Sequence, residues 1–163
     1  MTTDTYLLTK EDIERFEGTQ KTHFLNSNAQ RVNKSLGDIT GLTGFGCHLI
    51  EVEPGHETTE HHRHYHEDEC VFVLSGNATA FLGDEAHSIG PGDFIGYRKG
   101  GVAHSIMNTG EEVLRCIVVG ERLPHDVGDY PRQGKRIYRN AGVPWNLVDL
   151  DDVQEVGGSV GKK

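Results

Sequence analysis

The stretch His61-His62-Arg63-His64-Tyr65-His66-Glu67-Asp68-Glu69 decides the reading of this chain, and it holds four of the protein's ten histidines. In an extended segment, side chains two apart point to one face. His62 and His64 therefore present two imidazoles side by side, an arrangement that can share one metal ion. Glu69 follows after Tyr65-His66-Glu67-Asp68, a stretch that allows a bend and re-aims the chain. Far downstream, His104 lies inside the apolar run from Ala103 to Asn108, where a barrel wall can bring it opposite the pair. The candidate ligands are therefore His62, His64, Glu69 and His104. Three imidazole nitrogens and one carboxylate suit Fe(II), Mn(II), Ni(II), Co(II) or Zn(II) alike. A register slip of one residue would substitute His61, His66 or Asp68. A cluster of four histidines also has plain affinity for nickel or zinc.

Around this stretch the chain breaks into short apolar runs. Cys47–Val52 reads as a strand ending at Pro54-Gly55, and Cys70–Leu74 as a second, closed by Ser75-Gly76-Asn77. Ala78–Leu82 and Ala86–Ile89 flank the hairpin-type turn Gly83-Asp84. Phe94–Tyr97 follows Pro91-Gly92-Asp93, and Ala103–Asn108 and Val113–Val119 complete the set. Glycine supplies 21 of 163 residues, dispersed along the middle of the chain, against a usual share of about 7%. Short strands with turn signals every eight to twelve residues or so predict an all-β sandwich or barrel.

Outside this region the texture changes. Thr9 with Glu11 and Asp12 resembles a helix start and predicts a short helix over Lys10–Glu17. Residues 1–40 are otherwise polar and read as an arm that packs on the barrel or on a second subunit. The barrel with its cap is expected over 41–145 and a tail over 146–163. Past Gly120 the strand rhythm fades among prolines, glycines and charges.

One domain is expected from the length. The net charge of −9 argues against general nucleic-acid binding, which needs a basic surface. Cys47, Cys70 and Cys116 stand singly among apolar neighbours and read as reduced thiols of a cytoplasmic protein. The start of the chain lacks the pattern of a signal peptide, and no apolar run is long enough to suggest a membrane span.

The spacing Gly55-x6-His62-x-His64-x4-Glu69-x6-Gly76 resembles the first motif of the cupin superfamily. Pro91-Gly92-Asp93 through His104-x3-Asn108 resembles the second, with a typical gap from Gly76 to Gly90. The resemblance covers roughly residues 44–120 and is nearest to small single-domain cupins of the cupin-2 type, some of them sugar-phosphate-isomerase-like. It implies a jelly-roll barrel with one divalent transition metal inside, and homodimers are common among such proteins. This sequence departs from the pattern at the barrel mouth, with one extra residue before His62 and Gly100-Gly101 adding one in the second motif.

Three activities fit such a site: a metal-assisted isomerase or epimerase, an Fe(II)-dependent dioxygenase, and a non-enzymatic module that binds or senses a small molecule. The first needs a base that is not a ligand, and His48, Tyr97 and Glu67 are the candidates. His48 also reads as a packed or solvent-facing residue of its strand. Arg98, Arg132, Arg136 and Arg139 are candidates for holding an anionic substrate, since guanidinium groups bind carboxylate and phosphate in forked pairs. They read equally as solvated side chains pairing with nearby acids.

Overall fold

A computed structural model describes residues 5–158. Strands dominate it. In chain order they are β1 (Thr19–His23), β2 (Asn26–Ser35), β3 (Phe45–Val52), β4 (Arg63–His64), β5 (Glu69–Ser75), β6 (Ala78–Leu82), β7 (Glu85–Ile89), β8 (Phe94–Tyr97), β9 (His104–Met107), β10 (Leu114–Glu121), β11 (His125–Tyr130), β12 (Lys135–Asn140) and β13 (Asn146–Asp149). Two short helices, α1 (Lys10–Arg15) and α2 (Leu36–Ile39), precede β3. The helix predicted to reach Glu17 stops at Arg15. Its start is fixed by a reciprocal cap, in which the Thr9 hydroxyl accepts from the Asp12 backbone and the Asp12 carboxylate accepts from Thr9.

One wall of the barrel is a six-stranded sheet ordered β1-β2-β3-β10-β5-β8. The facing wall is made of two pieces, β7-β6-β9 and β13-β12-β11-β4. They are stitched together where His62 and His104 exchange backbone hydrogen bonds of 3.0 and 2.7 Å. That bridge fixes two of the candidate ligands as direct neighbours. The apolar core, including Val52, Val71, Val73, Ile106, Leu114 and Cys116, fills the space between the walls. All three cysteines are free thiols. Gly76, at the end of β5, has a left-handed φ of 83° and lies so close to Leu114 that a Cβ would sit 2.8 Å from its backbone, so only glycine fits.

The structure differs from the expected boundaries at both ends. Gly41 does not begin the barrel: β1 and β2 are full members of the large sheet, with Asn33 opposite Ile50 and Ser35 opposite His48 on β3. Residues past Gly120 do not form an irregular cap; β11, β12 and β13 are antiparallel strands. Their sequence hides this because charges replace apolar alternation. The β11–β12 register sets Asp126 opposite Arg139 and Asp129 opposite Arg136, and opposite charges facing across two strands stabilise the pairing. The tail expected over 146–163 begins instead with β13, and its last five residues, 159–163, lie outside the described ones. No helix among the described residues is long and apolar enough to cross a membrane.

Candidate metal centre

The barrel wall places four side chains around one point. The His62–His104 bridge supplies two of them, β4 supplies His64, and Glu69 opens β5. His62 Nε2 and His64 Nε2 lie 3.1 Å apart. Glu69 reaches toward the same point, with Oε1 3.9 Å from His104 Nε2 and Oε2 4.0 Å from His64 Nε2. Ligand atoms of His62, Glu69 and His104 all fall within 4.8 Å of one another. Atoms about 2.1 Å from a common ion are separated by roughly 3–4 Å, which the separations of 3.1, 3.9 and 4.0 Å match.

The hydrogen bonds around the rings bear on whether these residues suit a metal. His62 Nδ1 is 2.8 Å from the Glu60 carbonyl, and His64 Nδ1 is 2.7 Å from Asp126 Oδ2. Both partners can only accept, so Nδ1 carries a proton in each ring, and in a neutral ring Nε2 is left with its lone pair beside the other Nε2. Two lone pairs at that separation repel unless a cation, or a proton on one ring, lies between them. Neither ring nitrogen of buried His104 has a hydrogen-bond partner of good geometry. A buried orphan of this kind is costly, and a bound ion would satisfy it. The carboxylate–histidine pairing of Asp126 with His64 is the usual outer support of a metal-binding imidazole. The donor set and its surroundings therefore fit a divalent transition metal.

Electrostatics follow from burial. Burial, then the neighbouring His64, holds His104 neutral with a pKa of about 3, against the opposing pull of the Val102 carbonyl. Burial likewise holds His62 far below its ordinary range, helped by His104 and His64. Burial pushes His64 the same way, but the Asp126 hydrogen bond and the nearby Glu69 outweigh it and raise its pKa. Burial raises Glu69, with His64 and Arg31 pulling against it.

The register alternatives fall elsewhere. His61 is buried and pairs with the Ser105 hydroxyl at 3.2 Å, His66 is exposed, and the Asp68 carboxylate accepts from the Lys99 backbone. Of the base candidates, His48 and Tyr97 line the cavity beside the cluster, a space of about 230 Å³. The Tyr97 ring stacks on His104 at 3.5 Å and 5°, with its hydroxyl buried and unpartnered. Glu67 lies behind His64, buried against Arg139 and the Leu123 backbone, and lines a smaller neighbouring hollow. His64, Glu67 and Asp126 also come within 4.8 Å of one another, but Arg139 spans both carboxylates and supplies the positive charge there.

The arginines sort clearly. Arg136 spends its guanidinium fork on Asp129, at 2.7 and 3.1 Å, and also donates to the Tyr65 hydroxyl. Arg139 is held by Asp126 and Glu67. Arg98 is exposed, and Arg132 is exposed over the Phe81 ring. None of the four lines the cavity beside the histidine cluster. Three residues from the presumed arm do: Lys21, Arg31 and Asn33. Nothing in their polar, non-alternating stretch marks a site.

A jelly-roll barrel with three histidines and a glutamate converging inside defines a cupin, and this chain belongs to the cupin superfamily. The cupin domain family matches residues 48–120. A protein of Acidithiobacillus ferrooxidans, named as a candidate sugar phosphate isomerase, is 52% identical, with 94% of this chain and 97% of that one covered at a TM-score of 0.91. A cupin-superfamily protein of Silicibacter pomeroyi, named a sugar phosphate isomerase, is 26% identical over 95% and 99% of the two chains, with a TM-score of 0.76. The polyketide cyclase RemF of Streptomyces resistomycificus shares the fold, at 21% identity over 72% and 79% and a TM-score of 0.54. No curated protein matches the chain.

Proposed function

We propose that this protein is a metal-dependent isomerase or epimerase of a small sugar-like substrate bearing a phosphate or carboxylate. The observation that carries the metal reading is the pair of Nε2 atoms 3.1 Å apart, each ring locked by an acceptor at Nδ1, with His104 unpartnered beside them. His62, His64, Glu69 and His104 would hold the ion. A divalent ion there supplies polarisation of a substrate carbonyl or hydroxyl oxygen. The names of the two isomerase-like relatives support the reaction class.

The chain's own residues then carry the proton. His48 lines the cavity, and burial, followed by the charges of Lys21 and Arg122, lowers its pKa. It is therefore neutral near pH 7 and able to accept a proton through the ring. Asn33 Nδ2 donates to its Nδ1 at 3.3 Å, which restricts the ring's orientation, and the ring takes up a substrate proton at Nδ1 by exchanging that hydrogen bond. Tyr97 has the opposite character. Burial, then Glu69, raises its pKa strongly, so it stays protonated and donates a hydrogen bond. A base and a fixed donor flanking one cavity suit proton transfer next to a carbonyl. Glu67, committed to Arg139, is left to support the site from behind.

The test is metal analysis of protein purified without a nickel column, followed by incubation of aldose and ketose phosphates in D₂O. Bound metal and metal-dependent deuterium uptake at carbon support the reading. Metal-free protein would overturn it. Oxygen consumption with bound iron and no deuterium uptake would replace it with the dioxygenase chemistry.

A further inference from the structure

The N-terminal hairpin carries an unexplained pair of positive charges. Arg31 and Asn33 stand two apart on β2 and both line the cavity beside the histidine cluster. Lys21 on β1 lies directly opposite Arg31 in the sheet register and lines the cavity too. Arg31 donates to the Thr58 carbonyl, while its Nε is buried without a hydrogen-bond partner. Among the described residues neither Arg31 nor Lys21 belongs to an ion pair. That sets Arg31 apart. Arg63, Arg115, Arg122, Arg136 and Arg139 each sit on a carboxylate, and the other arginines, Arg15, Arg98 and Arg132, are exposed.

A part-buried guanidinium without a counter-ion is unfavourable, and a second cation opposite it adds repulsion. The charges also affect each other: burial, then Arg31, depresses Lys21, and burial depresses Arg31 with only Glu69 opposing. In a chain of net charge −9, such an arrangement is stable when an anion sits between the two. A guanidinium fork beside an ammonium matches a dianionic phosphate monoester better than a singly charged carboxylate.

We propose that Arg31 and Lys21, with the Asn33 amide alongside, form the subsite that grips the phosphate of the substrate. This places the anion-binding group on the N-terminal hairpin instead of on Arg98 and the 132–139 segment. The inference rests on the reading of the cavity as a substrate site, and it requires no particular metal or reaction.

Calorimetric titration of inorganic phosphate, with acetate as the monoanionic comparison, tests it on metal-loaded and metal-stripped protein. Arg31→Met should weaken phosphate binding by about tenfold or more, the loss expected for a charge-assisted hydrogen bond. Lys21→Met, at an exposed and structurally cheap position, should weaken it by roughly threefold, in the range of a solvent-screened charge. Arg132→Met should leave it unchanged. Thermal unfolding and metal content of each variant separate a lost ligand contact from a damaged barrel. If Arg31→Met does not fold, Lys21→Met alone decides. Phosphate affinity unaffected by Lys21→Met and by any folded Arg31→Met, no phosphate binding by the wild type, acetate bound as tightly as phosphate, or a loss on Arg132→Met equal to that on Arg31→Met overturns the assignment. Phosphate binding that persists in protein found to carry no metal sustains the subsite and sinks the metal-dependent reading instead.

Discussion

Asp126→Asn perturbs the candidate centre without replacing any of its proposed ligands. The Asp126 carboxylate is 1% exposed and accepts three hydrogen bonds: from His64 Nδ1 at 2.7 Å, from the His66 backbone at 3.1 Å and from Arg139 at 2.6 Å. Burial alone would raise its pKa, but these partners outweigh burial and hold it well below the carboxylate range. Asparagine offers one acceptor oxygen in place of two. If that oxygen takes the place of Oδ2, it keeps both His64 and Arg139, and the amide NH₂ confronts the His66 backbone N–H. If the amide flips, its NH₂ faces His64 Nδ1, the ring proton moves to Nε2, and that nitrogen can no longer ligate. Either way the variant loses something measurable. Supports of this kind are worth about ten- to a hundredfold in metal affinity, or roughly 1.4–2.7 kcal/mol. Breaking a buried ion pair costs about 3–5 kcal/mol, and because Arg139 keeps Glu67 the lower end, near 3, is expected. Metal affinity is read by competition against a graded chelator, and stability by chemical denaturation of the metal-free protein. A variant that binds metal as the wild type does refutes the claim that Asp126 sets the His64 tautomer. One that is also as stable as the wild type refutes the ion-pair argument as well.

Tyr97→Phe removes a buried hydroxyl without a partner while keeping the ring stacked on His104. Metal content should hold and stability should be unchanged or rise by up to about 1 kcal/mol, while turnover falls, as denaturation and the deuterium-exchange assay would show. Burial works to raise the pKa of Asp129, but hydrogen bonds from Arg136, Tyr65 and Arg63 prevail and depress it from 3.8 to about 2. A depressed carboxylate stabilises the fold fully above its unfolded pKa and loses that contribution as pH falls toward its folded one. Wild type should therefore lose about 1–2 kcal/mol more than Asp129→Asn between roughly pH 5 and 2, and parallel urea midpoints across that window would refute this. The exposed Tyr6 and Leu7, at 89% and 74%, lie beside an apolar groove that Leu7 lines with Leu8, Ile13, Phe16, Leu36 and Ile39. A homodimer using the N-terminal segment should give twice the mass of one chain by light scattering, and the mass of a single chain removes it.

The central strands are legible because their inner faces are apolar. Cys47–Val52, Ala78–Leu82 and Phe94–Tyr97 appear within a residue or two of where alternation and turn signals place them, as β3, β6 and β8. The candidate ligands are legible for a different reason. Spacing of two in an extended chain is a geometric constraint, and His104 stands out as a polar residue in an apolar run. What stays hidden is every strand whose inner face is polar. On β2, Arg31 and Asn33 face a cavity, and Lys34, also buried, pairs with Glu51, so neither side of the strand shows an apolar stripe. On β11 and β12 the pairing partners are charges, Asp126 with Arg139 and Asp129 with Arg136, and a sequence read for hydrophobic period takes such a stretch for a loop.

The same blindness has a functional consequence. Hydrophobic patterning locates the parts of a barrel that bury apolar surface, and a cavity that binds a polar substrate is the part that does not. In this protein the arginines that stand out in the sequence, clustered from Arg132 to Arg139, include two that are tied to the fold, for Arg136 and Arg139 neutralise the buried Asp129, Asp126 and Glu67. Arg31, isolated in a polar hairpin, faces the cavity and, among the described residues, belongs to no ion pair. Density of charge along the chain thus reports where acids and bases satisfy each other. A ligand site is better sought at a part-buried charge that lacks an ion-pair partner.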